Sequence, residues 1–508
     1  MKKTIFIKNA AILTFSSLFL RFAGIIFKVW VAKIIGSEGV GLYQLIFSFY
    51  LLAATFATSG ISTAVTRLVS EEMALGSKEG MVKIFRRSLQ LTLIIAVFSL
   101  VLVFFGAEFI SKTLIGDIRA LPALKILPFA LPFMGVSSCI RGYFIAIRRV
   151  TPNAVIQILE QVFRIILIVL LVKKFMGLGL PAACAAILAG DVLAEVISCL
   201  LLYLCYLKDT KKLSLLVGRS HPPYSILRKI LHISLPITSG RYLNTALRTG
   251  ENVLVPKNLA KFPLAHENSL SQFGMIKGMA LPILFFPSTL LNSISTLLIP
   301  EMSEAAAKNQ KGIVRYATRH ILKLTALISF IFAAIFFVTG EKIGILIYNS
   351  NDIGYLLKIL SPIVPFMYLD SISDGILKGL DQQLFTFRTA LSDSLIRIIL
   401  IVLILPVLGL RGFIIIMYFS NFLTCFLNVG RLKKVSGAKL SFFYEQLFPF
   451  LSAFFIALFS NNVLSLFPIN SILLYLFLFI VITLPLYLLF LFVFRIVKKT
   501  ELYWIFKR

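Results

Sequence analysis

LKILPFALPFM, residues Leu124 to Met134, returns at Leu357 to Met367 as LKILSPIVPFM, and RIILIVL, from Arg164 to Leu170, returns letter for letter from Arg397 to Leu403. Both matches need the same shift of 233 residues, with no gap between them. Working outward, that shift also carries Gly41 onto Gly274, Glu71 onto Glu304, Arg86 onto Arg319 and Gly142 onto Gly375. One register held from about residue 41 to about residue 172 marks a duplicated module. Chance likeness between apolar segments does not keep register through loops.

The module is built for lipid. Of the 508 residues 58% are hydrophobic, and the mean hydropathy of +0.93 is too high for a water-soluble domain of this size. Apolar runs of roughly 20 residues recur along the chain, each long enough to cross a hydrocarbon core of about 30 Å as a helix. The first run contains Arg21 and Lys28 and lacks a small-residue cleavage site, so it reads as a retained span. Fourteen spans are expected, near 9–35, 41–67, 86–110, 121–147, 153–173, 178–206, 230–256, 272–299, 316–339, 354–378, 385–407, 410–430, 444–466 and 470–494.

The net charge of +29 follows from the positive-inside bias and does not call for nucleic acid. With the N-terminus cytoplasmic, about thirty Lys and Arg fall on the cytoplasmic side and about ten outside, which puts both termini in the cytoplasm. The shift spans six helices, an even number, so the two halves insert with the same orientation. The expected division is an N-terminal six-helix lobe (1–207), a cytoplasmic connector (208–229), a C-terminal six-helix lobe (230–434), and an added helix pair with a basic tail (435–508). The fold class is thus an all-α polytopic membrane protein of two parallel repeats plus two helices, with a substrate path expected between the lobes.

Charged groups at mid-membrane face a bundle interior or a wet cavity by default. Arg241, Asn244, Arg248 and Glu251 follow steps of three, four and three in the seventh span and share one helix face, with Asn252 beside them. A substrate-lined face is one reading; an internal ion pair joining helices is the other. Arg21, Gly24 and Lys28 share a face of the first span, and Arg67 closes the second, where an interfacial anchor is the plainer role. In the tenth span Asp370, Asp374, Lys378 and Asp381 follow steps of four, four and three, opposite a first-repeat counterpart that carries Ser137, Arg141 and Arg148. An inter-repeat bridge such as Arg141 to Asp374 fits that contrast, and so does directional transport. Glu160 with Arg164, and Asp393 with Arg397, repeat an acid four residues before an arginine; such a pair neutralises itself, and a part in gating or ion coupling is the alternative. Prolines 282, 287 and 300 in the eighth span predict a bent or broken helix.

Enzymatic signals are sparse. Four scattered histidines and five cysteines inside apolar spans form no HExxH, GxSxG, Walker or CxxC pattern, so neither an enzyme, a metal nor a cofactor is expected. Energy would come from Na+, H+ or the membrane potential.

IGSEGVGLYQL (Ile35 to Leu45), RGYF (Arg141 to Phe144), TPNAVIQILEQVFRI (Thr151 to Ile165), LPITSGRYLNTALRTGENVLVP (Leu235 to Pro256) and FPSTLLNSISTLLIPEMSEA (Phe286 to Ala305) resemble the stage V sporulation protein B branch of the polysaccharide flippases. That branch lies in the multidrug/oligosaccharidyl-lipid/polysaccharide exporter superfamily and is related to lipid II flippases. The resemblance implies fourteen helices in two lobes around a V-shaped cavity. It also implies export of a lipid-linked saccharide, such as an undecaprenyl-pyrophosphate-linked peptidoglycan precursor, for spore cortex or cell wall. The expected setting is the bacterial plasma membrane, including the outer forespore membrane, with cell-wall synthesis proteins as neighbours. Arg21, Arg241 and Arg248 are the implied diphosphate ligands, and Gly36, Gly39 and Gly41 a flexible outer gate. The rival reading is an ion-coupled exporter of cationic drugs using Glu251, Asp370 and Asp374. A membrane glycosyltransferase or a cell-wall scaffold is weaker, because the outer loops are short and poor in acids.

Overall fold

The computed structural model describes residues 2–58, 60–212, 226–263, 269–289, 291, 302–438, 441 and 443–497. The described residues are helical with no strands, the form that satisfies every backbone polar group inside its own segment where no water is available. In chain order the helices are α1 (Lys2–Thr58), α2 (Ile61–Ala74), α3 (Lys78–Phe109), α4 (Leu121–Ile126), α5 (Ala130–Ala146), α6 (Thr151–Phe175), α7 (Leu180–Lys212), α8 (Ile226–Leu259) and α9 (Ser269–Phe273). They continue as α10 (Leu281–Phe285), α11 (Lys311–Tyr348), α12 (Asn351–Leu360), α13 (Val364–Gly379), α14 (Gln383–Ser436), α15 (Phe448–Ser465) and α16 (Ile472–Val493). Nine helical stretches among the described residues are long and apolar enough to cross a membrane by length and composition. The segment over α8 is not among them, because its polar face lowers its hydropathy.

Two helices are broken at glycine. Gly36 inside α1 takes φ 68°, ψ 179°, and Gly409 inside α14 takes φ 53°, ψ −134°. Side chains rarely tolerate such backbones, so each long helix is two spans joined at a residue without a Cβ. Serines start other helices: Ser77 Oγ accepts from Gly80 N at 3.0 Å, and Ser471 Oγ from Leu474 N at 3.4 Å. The eighth span is irregular, as its prolines predict. It runs from α9 through a π-helical turn, Gly274–Ala280, into α10, and then turns at Phe286 and Pro287. Its residues 292–301, with Asn292, Ser293, Ser295 and Pro300, lie outside the described set, as do residues 213–225 of the connector.

The chain divides into two compact units, one holding 1–260 with 267–274, the other 261–266 with 275–508. The repeat places a boundary at 208–229, whereas the compact division falls one helix later. The reason is that α8 is bonded to α1 within the first unit, as described below. The core of that unit is an apolar cluster including Ile61, Val65, Phe85, Ile140, Tyr143, Phe144, Leu202 and Ile230 from six helices. At the end of α7 the buried Asp209 accepts from Tyr143 Oη at 3.2 Å and pairs with Arg149.

In the second unit the trailing pair packs on α11. Ala326, Phe330 and Ala334 meet Ala453, Ala457, Tyr475 and Phe479, and Tyr487 Oη donates to Leu327 O at 3.3 Å. Lipid is as apolar as these side chains, so close packing and hydrogen bonds hold the helices together. Gly344 against Gly354 shows it: a Cβ on Gly344 would lie 2.3 Å from the Gly354 nitrogen.

Candidate functional site

In the first unit, α1 after Gly36 presents two faces. Gly41, Ser48 and Thr55, spaced by seven, meet α8 and α9. Thr249 Oγ1 donates to Ser48 O at 3.1 Å, Asn252 Nδ2 donates to Ser48 Oγ at 2.9 Å, and Thr55 and Thr245 hydroxyls approach to 3.5 Å. Asn252 is therefore a strut of this seam. Arg241 and Arg248 stand on the flank of α8 next to it, two turns apart, or about 10 Å along the axis. Both are exposed, and neither guanidinium makes a hydrogen bond or ion pair with another described residue. Asn244 is half-buried and Glu251 is 3% exposed with a partner of its own, so the sequence face divides into free cations and a buried acid.

Arg21 and Lys28, on α1 before Gly36, are likewise exposed and unpaired among the described residues. Arg67 is engaged: its Nε lies 3.0 Å from Glu71 Oε1, one turn on, with both groups exposed. Gly39 and Gly41 lie inside regular helix. A Cβ on Gly39 would meet Ile35 and Leu180 Cδ1 at 2.7 Å, and one on Gly41 would meet Leu270 O at 2.2 Å. The backbone break is at Gly36 alone; the other two are points of close packing where the sequence predicts a flexible gate.

The other face of α1, with Tyr43 and Tyr50, looks toward a charged network among α5, α6 and α7. Glu160 accepts from Arg141 and from Arg164, each at 2.7 Å, and from Ser198 Oγ at 2.9 Å. Arg164 Nε also lies 3.1 Å from Asp191. Arg141 is thereby paired with Glu160 in the first unit, and Asp374 with Lys378 one turn along α13 in the second. The pair expected on α6 is present but opens into a wider cluster.

The second unit holds the repeat-equivalent groups. Asp393 accepts from Ser420 Oγ at 2.5 Å and lies 3.6 Å from Arg397, while Asn428 Nδ2 donates to Asp370 at 2.8 Å. Asp381 sits past the end of α13 with φ 58°, off the helix face on which its spacing places it.

The network residues not singled out from sequence are Asp191, half-buried, and Glu195, buried, both on α7. Their signal is two acids four residues apart in LAGDVLAEVISC, an otherwise apolar run.

A family model described as polysaccharide biosynthesis protein matches residues 6–260, and one described as MatE matches residues 276–403. Stage V sporulation protein B of Bacillus subtilis (strain 168) is 28% identical over 445 residues, covering 86% of this chain and 85% of its own. The lipid II flippase MurJ of the same organism is 20% identical, covering 84% and 82%. The solved structure of lipid II flippase MurJ in an inward closed conformation aligns with a TM-score of 0.70 at 16% identity, covering 94% of this chain and 98% of that one.

Proposed function

Because the chain belongs to the polysaccharide biosynthesis protein family, a membrane transporter family and not an enzyme family, we propose that it flips a lipid-linked oligosaccharide whose head carries a diphosphate. The class favoured is an undecaprenyl-pyrophosphate-linked peptidoglycan precursor such as lipid II, used for cell wall or spore cortex. The observation that carries this reading is the pair of exposed, unpaired arginines, Arg241 and Arg248, on the flank of a polar helix. A guanidinium without an acid partner in a membrane segment is costly, and a phosphate supplies two oxygens in the geometry of its fork. Arg21 and Lys28 supply further positive charge in the same unit. The polyprenyl tail would stay in lipid while the head group crosses, and both termini would be cytoplasmic in the plasma membrane.

The MatE match over 276–403 keeps an exporter of cationic compounds as the second reading. The acids such a cargo would need are less available: Asp374 pairs with Lys378, Asp370 is bonded by Asn428, and Glu251 is buried. Native mass spectrometry of the purified protein with lipid II, undecaprenyl phosphate and a cationic dye separates the two. Selective retention of lipid II that weakens in Arg248→Ala supports the flippase. Retention of the dye alone moves the assignment to the drug exporter.

A further inference from the structure

The network of the first unit does not balance in charge. Glu160, Asp191 and Glu195 set three carboxylates against the two guanidiniums of Arg141 and Arg164. Both guanidiniums are spent on Glu160 and Asp191, whereas Glu195, at 6% exposure, has no ion pair within 4.0 Å. An uncompensated carboxylate inside a membrane bundle is strongly unfavourable, and binding one positive charge removes the deficit.

A second observation points to what binds. Ser137 of α5 is 2% exposed, its Oγ makes no hydrogen bond within range, and it faces Glu195 and Cys199. The Nε atoms of Arg141 and Arg164 are also buried without hydrogen bonds. The Ser137 hydroxyl can accept from a protonated Glu195 and donate to an ionised one, so it serves both forms. A sodium ion would instead have to sit among guanidiniums, with the oxygens of Glu160 already occupied. The repeat supports the position. The crossing equivalent to Ser137 and Glu195 is Asp370 and Asn428, so each unit places one carboxylate at the same crossing, contributed by opposite helices.

We propose that Glu195 is a proton-binding carboxylate, protonated and deprotonated during the transport cycle, with the Ser137 hydroxyl as its partner in both forms. The groups facing it are Tyr50 from α1, Arg141 from α5, Glu160 and Arg164 from α6, and Asp191 and Cys199 from α7. The turn before α4 adds only Arg119, which is paired with Asp117 and Glu38. Tyr50 lies on the α1 face opposite Ser48, so one helix separates the proton site from the seam with α8. The inference rests on the chain being a transporter, not on which lipid it carries.

The test is infrared difference spectroscopy of the full chain in lipid nanodiscs, titrated in buffers of sodium and of choline. Wild type is expected to show the carbonyl band of a buried carboxylic acid, equally in both salts. Glu195→Gln should lose that band and one titrating proton per chain, and Ser137→Ala should shift the band without removing it. An undiminished band in Glu195→Gln, or its loss on adding sodium but not choline, overturns the proposal. If Glu195→Gln does not fold, Glu195→Asp is used: a displaced band supports the assignment, and an unmoved one overturns it. Because no lipid substrate is present, failure here is distinguishable from failure of lipid II binding.

Discussion

Gly41 and Gly274, equivalent positions in the two repeats, lie backbone to backbone: a Cβ on Gly274 would stand 2.7 Å from the Gly41 nitrogen and 3.1 Å from its Cα. Beside them Ser37 and Ser271 share a hydrogen bond at 2.6 Å. Only residues without side chains permit this approach.

A cysteine pair in place of Ser37 and Ser271, whose hydroxyls already touch, is therefore expected to cross-link under mild oxidation. Transport of a fluorescent lipid-linked substrate in vesicles should fall to background when cross-linked and return with reductant. Full transport in the oxidised pair would show that this contact never opens. Gly274→Val should be destabilised by about 1–3 kcal/mol through overpacking.

Arg241→Ala and Arg248→Ala should leave the melting temperature within a degree or two, since neither arginine has a partner to lose. Each should weaken lipid diphosphate binding by about tenfold or more, the scale of a lost charge-assisted hydrogen bond. Arg248→Lys is expected to recover only part of it, because an ammonium lacks the bidentate fork.

Removing Arg164 leaves Asp191 without a cation and Glu160 with Arg141 alone. Arg164→Ala should destabilise the protein by about 3–5 kcal/mol. The double change Arg164→Ala with Asp191→Asn should cost less than the single one, which a double-mutant cycle by thermal unfolding in detergent checks.

Gly36 has a backbone that belongs almost to glycine alone. Gly36→Ala should cost about 1–3 kcal/mol, whereas Gly24→Ala, in regular helix with nothing within 4 Å of a new Cβ, should be neutral or slightly stabilising. Comparison of their unfolding midpoints decides it.

The repeat made the helical membrane fold legible, because RIILIVL and its copy mark one apolar module that occurs twice. The polar face of α8 was legible too, since charges at steps of three and four stand out against lipid-soluble neighbours. Which of them would be free was not. Arg67 and Arg248 read alike as letters, each with a glutamate about one turn on, but Arg67 meets Glu71 while Arg248 is exposed and makes no pair with the buried Glu251. The network around Glu160 escaped in part because Arg141, Asp191 and Glu195 come from helices far apart in sequence. Gly39 and Gly41 read as hinge residues because composition does not distinguish a glycine that bends from one that lets a neighbour in.

The trailing pair, α15 and α16, changes what the lipid touches. The span beginning at Lys311 is the repeat partner of the span beginning at Lys78, yet 72% of its apolar window is buried against 22% for the other. The added helices sheathe one copy and leave the other bare. Annular lipid and neighbouring membrane proteins thus meet the third helix in the first unit, through Phe98, Phe105 and Phe109, but meet α15 and α16 where its counterpart would be. A quencher attached to lipid tails would report on a probe at Phe105 and pass over one at Val338, a distinction between duplicated halves that is written only on their perimeter.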